Sequence, residues 1–227
     1  VMCNSFRSPS LLAKMSASLQ EMSTGRLILG YGAGWYEDEY RSYGFDYPSA
    51  GVRVDMLEEG VQIIKKMWVD SPANFRGKYY QIDNVYCEPR PDPQPVLMLG
   101  GGGERKTLRV VAQYADWWND VMRPIPDLSR KLEILKQHCE AVGRDYNSIR
   151  KTLAPRFFID KNHRKAISMA EGKNDTGQVI AGDPAAVCDQ LHELAEMGFD
   201  MVVTTFPKFQ ELDDMKLFVE EVIPQFS

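Results

Sequence analysis

Apolar positions along the chain alternate between short continuous runs, which suit buried strands, and three-and-four spacings, which suit amphipathic helices. Ser8 and Pro9 form an N-cap and first-turn pair. They open a predicted helix whose buried stripe is Leu11, Leu12, Met15, Leu19 and Met22, with Gly25 past its end. Arg26 to Tyr31 reads as a strand, and residues 32–50 as a loop rich in aromatic and acidic side chains. Leu57, Val61, Ile64 and Trp68 mark a second helix, residues 75–87 a small hairpin, and Pro89 to Pro95 a connector into a strand ending at Leu99. Leu108, Val111, Ala112 and Ala115 share a helix face. Asp116 to Asn119 then reads as a short buried strand, with Trp117 in the core and Trp118 the candidate to face a ligand. Leu128, Leu132, Leu135, Cys139 and Val142 give another amphipathic helix, and Lys151 to Asp160 one strand. Residues 161–178 look polar and irregular. Asp183 and Pro184 cap a helix with Val187, Leu191 and Leu194 inward and Gly198 as its stop. Met201 to Thr205 is a strand, and a last helix carries Met215, Phe218, Val219, Val222 and Phe226.

This alternation predicts an α/β fold with a parallel sheet, open or closed. No internal repeat or dividing linker is visible, so residues 1–227 read as a single domain. About six strands can be seen, whereas a closed (β/α)8 barrel needs two more and typically about 250 residues. The chain opens at Val1-Met2-Cys3-Asn4, without an initiator methionine and close to a strand. It therefore reads as the carboxyl-terminal part of something longer: if the sheet closes, a (β/α)8 TIM-barrel type fold, N-terminally incomplete, with its missing strands before Val1 and a small hairpin inserted. Its open sheet edges would favour association.

Composition narrows the partners. The chain has 227 residues, is 44% hydrophobic and carries a net charge of −5. That charge does not indicate a nucleic-acid surface. No apolar run approaches a membrane span, and no secretory signal is present. Cys3, Cys87, Cys139 and Cys188 are far apart and form no Cys-x-x-Cys pair, so neither a metal site nor a disulfide framework is expected. Free thiols and cytoplasmic residence follow, with Cys139 and Cys188 in the core.

The candidate chemistry lies in glycine. Gly100 to Gly103 stand between an apolar strand and a helix and are followed by Glu104, Arg105, Lys106 and Thr107. Glycines let a backbone approach a ligand closely, and the free N–H groups of the next helix favour an anion. Arg105 and Lys106 add positive charge. The segment matches neither Gly-x-x-x-x-Gly-Lys-Ser/Thr nor Gly-x-Gly-x-x-Gly. A phosphate cradle and a flexible connector both remain open on these residues alone. A second cluster, Gly30-Tyr-Gly-Ala-Gly-Trp35, follows the strand that begins at Arg26. Of the acids after it, Glu37 and Glu39 read as a solvated face, and only Asp38 is a candidate for the site. Glu58, Glu59, Lys65 and Lys66 read as helix surface, Met15, Met22 and Met56 as core filler, and Tyr79 and Tyr80 as hairpin support.

Taken together, Phe6-Arg-Ser-Pro9, Ser23-Thr-Gly-Arg26, Gly30 to Trp35, Glu39-Tyr40, Tyr43-Gly44, Phe75 to Tyr80, Gly100 to Gly103, Thr107-Leu108, Tyr114 to Asp116 with Asn119, Gly182 to Pro184 and Gly198 to Asp200 resemble the bacterial luciferase-like family, in its coenzyme F420-dependent oxidoreductase branch. The resemblance covers essentially the whole chain. It implies a (β/α)8 barrel, usually dimeric, acting on a small organic molecule. F420, with FMN as the alternative, would lie at the carboxyl-terminal mouth. It further implies that Gly101, Gly102, Gly103, Glu104 and Arg105 hold the phosphate tail. Ala33, Gly34 and Trp35 would line the ring and ribityl region, with Asp38 nearby. Val1 would lie at the end of the family's third strand, where a non-prolyl cis peptide often props the ring. His138, His163 and His192 match no proton-transfer position of the family, so no catalytic residue is named. The implied activity is hydride transfer. A non-catalytic flavin binder of the same fold, and an unrelated sugar-phosphate barrel enzyme, are the alternatives.

Overall fold

The computed structural model describes residues 1–171, 179–204, 206 and 212–226. The chain divides into two compact units, Val1–Trp118 with Leu135–Ile149, and Asn119–Ile134 with Arg150–Ser227.

The first unit opens with β1 (Met2–Cys3), α1 (Pro9–Met22), β2 (Ile28–Gly32), α2 (Glu37–Ser42) and the long α3 (Ala50–Val69). The hairpin β3 (Ala73–Arg76) and β4 (Gln81–Val85) follows, then β5 (Val96–Gly100) and α4 (Thr107–Tyr114). Strands β1, β2 and β5 are parallel neighbours. Alternate residues of a strand face opposite ways. Leu29, Tyr31, Leu97 and Leu99 are accordingly buried on one face. Gly30, Gly32, Met98 and Gly100 share the other, where Ile28 is 39% exposed.

Helix α1 forms where the sequence predicts it, but its buried face is different. Leu12, Ala13, Ser16, Ala17 and Gln20 point inward, while Leu11, Met15, Leu19 and Met22 are 39–80% exposed. The small residues let α3 come close enough for Trp68 Nε1 to donate to the Ala13 carbonyl at 3.2 Å. Gln20 can be buried because both ends of its amide are hydrogen-bonded. It donates to Pro93 O at 2.8 Å and accepts from Leu27 N at 2.9 Å. The expected loop at 32–50 contains α2, whose first turn holds Glu37, Asp38 and Glu39, a favourable place for acids at a helix N-terminus.

The strand β6 (Trp117–Val121) and the helix α5 (Ile125–Val142) contribute to both units. The second unit continues with β7 (Arg150–Ala154), β8 (Arg156–Ile159), α6 (His163–Ala170), β9 (Val179–Gly182), α7 (Pro184–Glu196), β10 (Met201–Val202) and α8 (Asp213–Leu217). Strands β7 and β10 pair in parallel, as do β8 and β9. The single strand expected at 151–160 is therefore two, divided at Pro155, which has no N–H to give a ladder. Part of the segment read as irregular is α6, capped by Asn162, whose side chain accepts from Lys165 N. Residues 172–178 and Thr205 lie outside the described residues. The α7 cap is as predicted, with Asp183 Oδ1 accepting from Ala186 N at 3.0 Å. In the last helical segment Val222 is buried, while Met215, Val219 and Phe226 are exposed. All four cysteines are free thiols, and Cys87, Cys139 and Cys188 are buried. No described helix is long and apolar enough to cross a membrane.

The α3 acids are not idle surface charges. Glu58 pairs with Arg109 at 2.6 Å. The Glu59 carboxylate accepts from the successive backbone N–H groups of Lys78, Tyr79 and Tyr80 at 2.7–2.9 Å, fastening the hairpin turn to α3. Hydrogen bonds to an ionised acceptor are among the stronger ones. Glu59→Ala is expected to lower the unfolding free energy by about 2–3 kcal/mol, read as a lower urea midpoint. An unchanged midpoint would show that the turn is held otherwise.

Candidate functional site

Strand register builds the site. Cys3 pairs with Gly32, and Gly32 with Gly100, so the carboxyl ends of β1, β2 and β5 finish side by side. Both glycine clusters leave the sheet at this edge. Carboxyl ends of parallel strands are where such folds place ligands. Val1 precedes β1 and seats its side chain on the glycine face. A Cβ at Gly100 would lie 3.0 Å from Val1 Cγ1, and one at Gly32 3.1 Å from the same atom. Val1 thus sits just before a two-residue strand rather than at a strand's end. The cis peptide bonds among the described residues, Ser71-Pro72, Glu88-Pro89 and Asp92-Pro93, all precede proline.

The first loop is held from behind through three successive carbonyls. Tyr40 Oη donates to Ala33 O at 3.0 Å. Arg53 Nε donates to Gly34 O at 3.3 Å, and Tyr47 Oη to Trp35 O at 2.8 Å. Gly34 has φ +78°, and a Cβ there would overlap the Tyr40 hydroxyl and lie 2.5 Å from Cys3 Sγ. Only glycine fits that backbone and that space. The Trp35 ring projects from the fixed loop, 81% exposed, with the Tyr36 ring 5.3 Å away between centroids. Asp38 is exposed in the first turn of α2, where its backbone carbonyl accepts from Ser42 Oγ.

The tetraglycine loop is also braced. Gly101 has φ +122°, and its carbonyl accepts from Trp118 Nε1 at 2.9 Å. His138 Nε2 lies 2.8 Å from the Glu104 carbonyl, which can only accept, so Nε2 is the donor there. A Cβ at Gly103 would lie 2.6 Å from Thr107 Oγ1. The expectation that Trp118 faces a ligand is not met, and Trp117 is not the fully buried one of the pair. Trp118 is fully buried and supports the loop, whereas Trp117 is half-buried. Only part of the expected positive charge is available. Lys106 is committed to Asp55, at 2.6 and 2.8 Å, while Arg105 is exposed and has no ion pair among the described residues.

Gly101, Gly102, Gly103, Glu104 and Arg105 thus continue from β5, and Ala33, Gly34 and Trp35 from the adjacent β2, with Val1 packed on the glycines between. Sequence reasoning did not find the loop-supporting roles of Tyr40, Tyr47, Arg53, Trp118 or His138. Their links to the loops span 7 to 34 residues and leave no local signature. His163 faces Asp183 at 3.3 Å, and the His192 ring packs on Phe226. Asp116 is structural, accepting from Leu97 N at 2.8 Å. Among the described residues there is no cluster of His, Cys, Asp and Glu that could hold a metal. Behind the first loop, Tyr40 Oη also lies 3.0 Å from Cys3 Sγ and 3.0 Å from Ser5 Oγ. Burial first, and then the Cys3 hydrogen bond, push the Tyr40 hydroxyl up to about 12. Burial likewise raises Tyr31, which donates to Asn4 Oδ1.

Comparison with known proteins finds relatives that depend on F420 or on FMNH(2). The family profile described as luciferase-like monooxygenase matches residues 1–175. An F420-dependent glucose-6-phosphate dehydrogenase of Amycolatopsis mediterranei is 24% identical, over 99% of this chain and 77% of its own length. An FMNH(2)-dependent dimethylsulfone monooxygenase of Pseudomonas fluorescens is 20% identical, over 95% of this chain and 69% of its own. The solved structure of an F420-dependent secondary alcohol dehydrogenase in complex with an F420-acetone adduct superposes with a TM-score of 0.85 at 20% identity. That match covers 100% of this chain and 78% of the other. A likeness of this size shows the fold, the α/β barrel type that the resemblance implied.

The raised tyrosines make a prediction about alkali. Their folded values lie above the unfolded value of 10.0, so the unfolded state loses these protons first. Their contribution is intact below that value, and stability should fall as pH rises from there through about 12 for Tyr40. Denaturant unfolding as a function of pH should show this slope, and Tyr40→Phe should make it shallower. An identical slope in Tyr40→Phe would contradict the assignment.

Proposed function

Because the chain belongs to the luciferase-like monooxygenase family, we propose that it is an oxidoreductase moving a hydride between a small organic molecule and a deazaflavin or flavin bound at the aligned ends of β1, β2 and β5. The observation that carries this reading is the pairing of Gly32 with Gly100, which brings two glycine loops to one edge. The residues fit such a group. The phosphate tail would lie against the backbone of Gly101, Gly102, Gly103 and Glu104, ahead of α4, with Arg105 supplying charge. The ring and ribityl chain would run along Ala33, Gly34 and Trp35, with Val1 behind the ring and Asp38 at the rim. When bound, the cofactor supplies the hydride chemistry, and the protein supplies binding, orientation and exclusion of water. Coenzyme F420 is the first choice and FMN the alternative; the F420-dependent relatives support that order.

The same reading makes the protein a cytoplasmic homodimer with no nucleic-acid partner. The exposed stripe Leu11, Met15, Leu19 and Met22 on α1 supports self-association, since a contiguous apolar face is unfavourable in water. Light scattering at twice the 25.9 kDa chain mass agrees with this, and a monomer contradicts it.

Titration with F420 and with FMN, followed by tryptophan fluorescence, tests the cofactor. F420 should bind more tightly than FMN, and its absorbance should report turnover once a substrate is supplied. Gly103→Val, whose side chain would strike Thr107, should weaken binding by about tenfold or more. Failure of both cofactors to bind would overturn the proposal. Tight binding without turnover on any substrate would instead favour the non-catalytic binder.

A further inference from the structure

Arg53 is the charged side chain whose surroundings need most explanation. It lies in the first turns of α3 and is 7% exposed. A buried charge is costly unless it is paired. Arg53 nevertheless makes no ion pair among the described residues. Its donors go to carbonyls, Gly34 O at 3.3 Å and Pro48 O, and its guanidinium lies 4.0 Å from the centre of the Tyr47 ring. Tyr47 in turn holds Trp35 O, and Tyr40 holds Ala33 O. The same stretch of α3 reaches the other glycine loop, because Lys106 Nζ contacts Asp55 and lies 3.4 Å from Gly51 O.

We propose that Arg53 is a positioning residue that fixes the Ala33–Trp35 loop for the cofactor, acting directly on Gly34 and, through the stacked Tyr47 ring, on Trp35. This rests on the functional reading above for its purpose, but not for its geometry. Three consecutive carbonyls are held, by Tyr40 of α2, Arg53 of α3 and Tyr47 of the segment between them, so turning the Gly34 carbonyl away would break the Arg53 bond and strain its neighbours. A planar guanidinium can bond two carbonyls and stack on a ring together, which an ammonium cannot do. The first turns of α3 then set the spacing between the two glycine loops, with Arg53 on one side and Asp55 on the other.

Two measurements test this separately from cofactor identity. In the first, brief chymotrypsin digestion of the folded protein is mapped by mass spectrometry. Trp35 and Tyr36 are exposed and are good cleavage sites, but their backbone is held. Arg53→Ala should speed cleavage at these two residues selectively. Arg53→Lys should fall between it and the wild type. Glu59→Ala, which weakens a distant hairpin lock, should show no such selectivity. In the second, fluorescence titration of wild type and Arg53→Ala with FMN and F420 should show affinity lost by about tenfold, partly restored in Arg53→Lys. Unchanged cleavage at Trp35 and Tyr36 in Arg53→Ala would overturn the inference, whether or not either cofactor binds. Equal affinities in a wild type that does bind would overturn it as well. Selective cleavage in Arg53→Ala, together with a wild type that binds neither cofactor, would retain the clamp and remove the functional reading.

Discussion

The register between β2 and β5 is the constraint on which the rest depends. Gly30 faces Met98 and Gly32 faces Gly100, so the two strands end level with each other. A shift of one residue would turn Leu29, Tyr31, Leu97 and Leu99 out of the core and stagger the loops that follow. Burial of those four side chains therefore fixes where both glycine loops begin. The opposite face carries glycines, and Val1 lies against them. Packing on one side of the sheet thus sets the geometry of the glycine face on the other.

Glycine-rich loops are easily disordered, because glycine loses much conformational freedom on folding. Here each loop is restrained by side chains acting on its carbonyls. Tyr40, Arg53 and Tyr47 hold the first, and Trp118 and His138 hold the second. The restraining groups come from behind the loops and make bonds that a ligand would not have to displace. Such an arrangement suits preorganised binding, in which ordering is complete before the ligand arrives. It also explains why Tyr40 and Trp118 are buried although both carry polar atoms, since each polar atom has a carbonyl partner.

Much of the fold was legible in the sequence because helix and strand periods are local. Leu57, Val61, Ile64 and Trp68 mark the buried side of α3, and the Asp183 cap and the Gly198 stop bound α7 as expected. The main error came from judging burial by size. In α1 the larger residues Leu11, Met15, Leu19 and Met22 lie outside, because close helix packing required Ala13, Ser16 and Ala17 inside. The strand β9 and the helix α6 went unseen because they are short and lie beside a polar run. The glycine clusters were visible because two of them followed apolar strands. Their supports were not, because nothing local marks Arg53 or His138 until tertiary structure brings them to the loops. The roles expected for Glu59 and Trp118 failed for the same reason.

In the proposed function, the level ends of β2 and β5 form one binding edge for a phosphate-bearing tricyclic cofactor. A crystal structure of the protein soaked with F420 or FMN tests it most directly. Phosphate density is expected within hydrogen-bonding distance of the Gly101–Glu104 backbone, and the ring beside Gly34 and Trp35. Density for the cofactor elsewhere, with both glycine loops unchanged and empty, would contradict it.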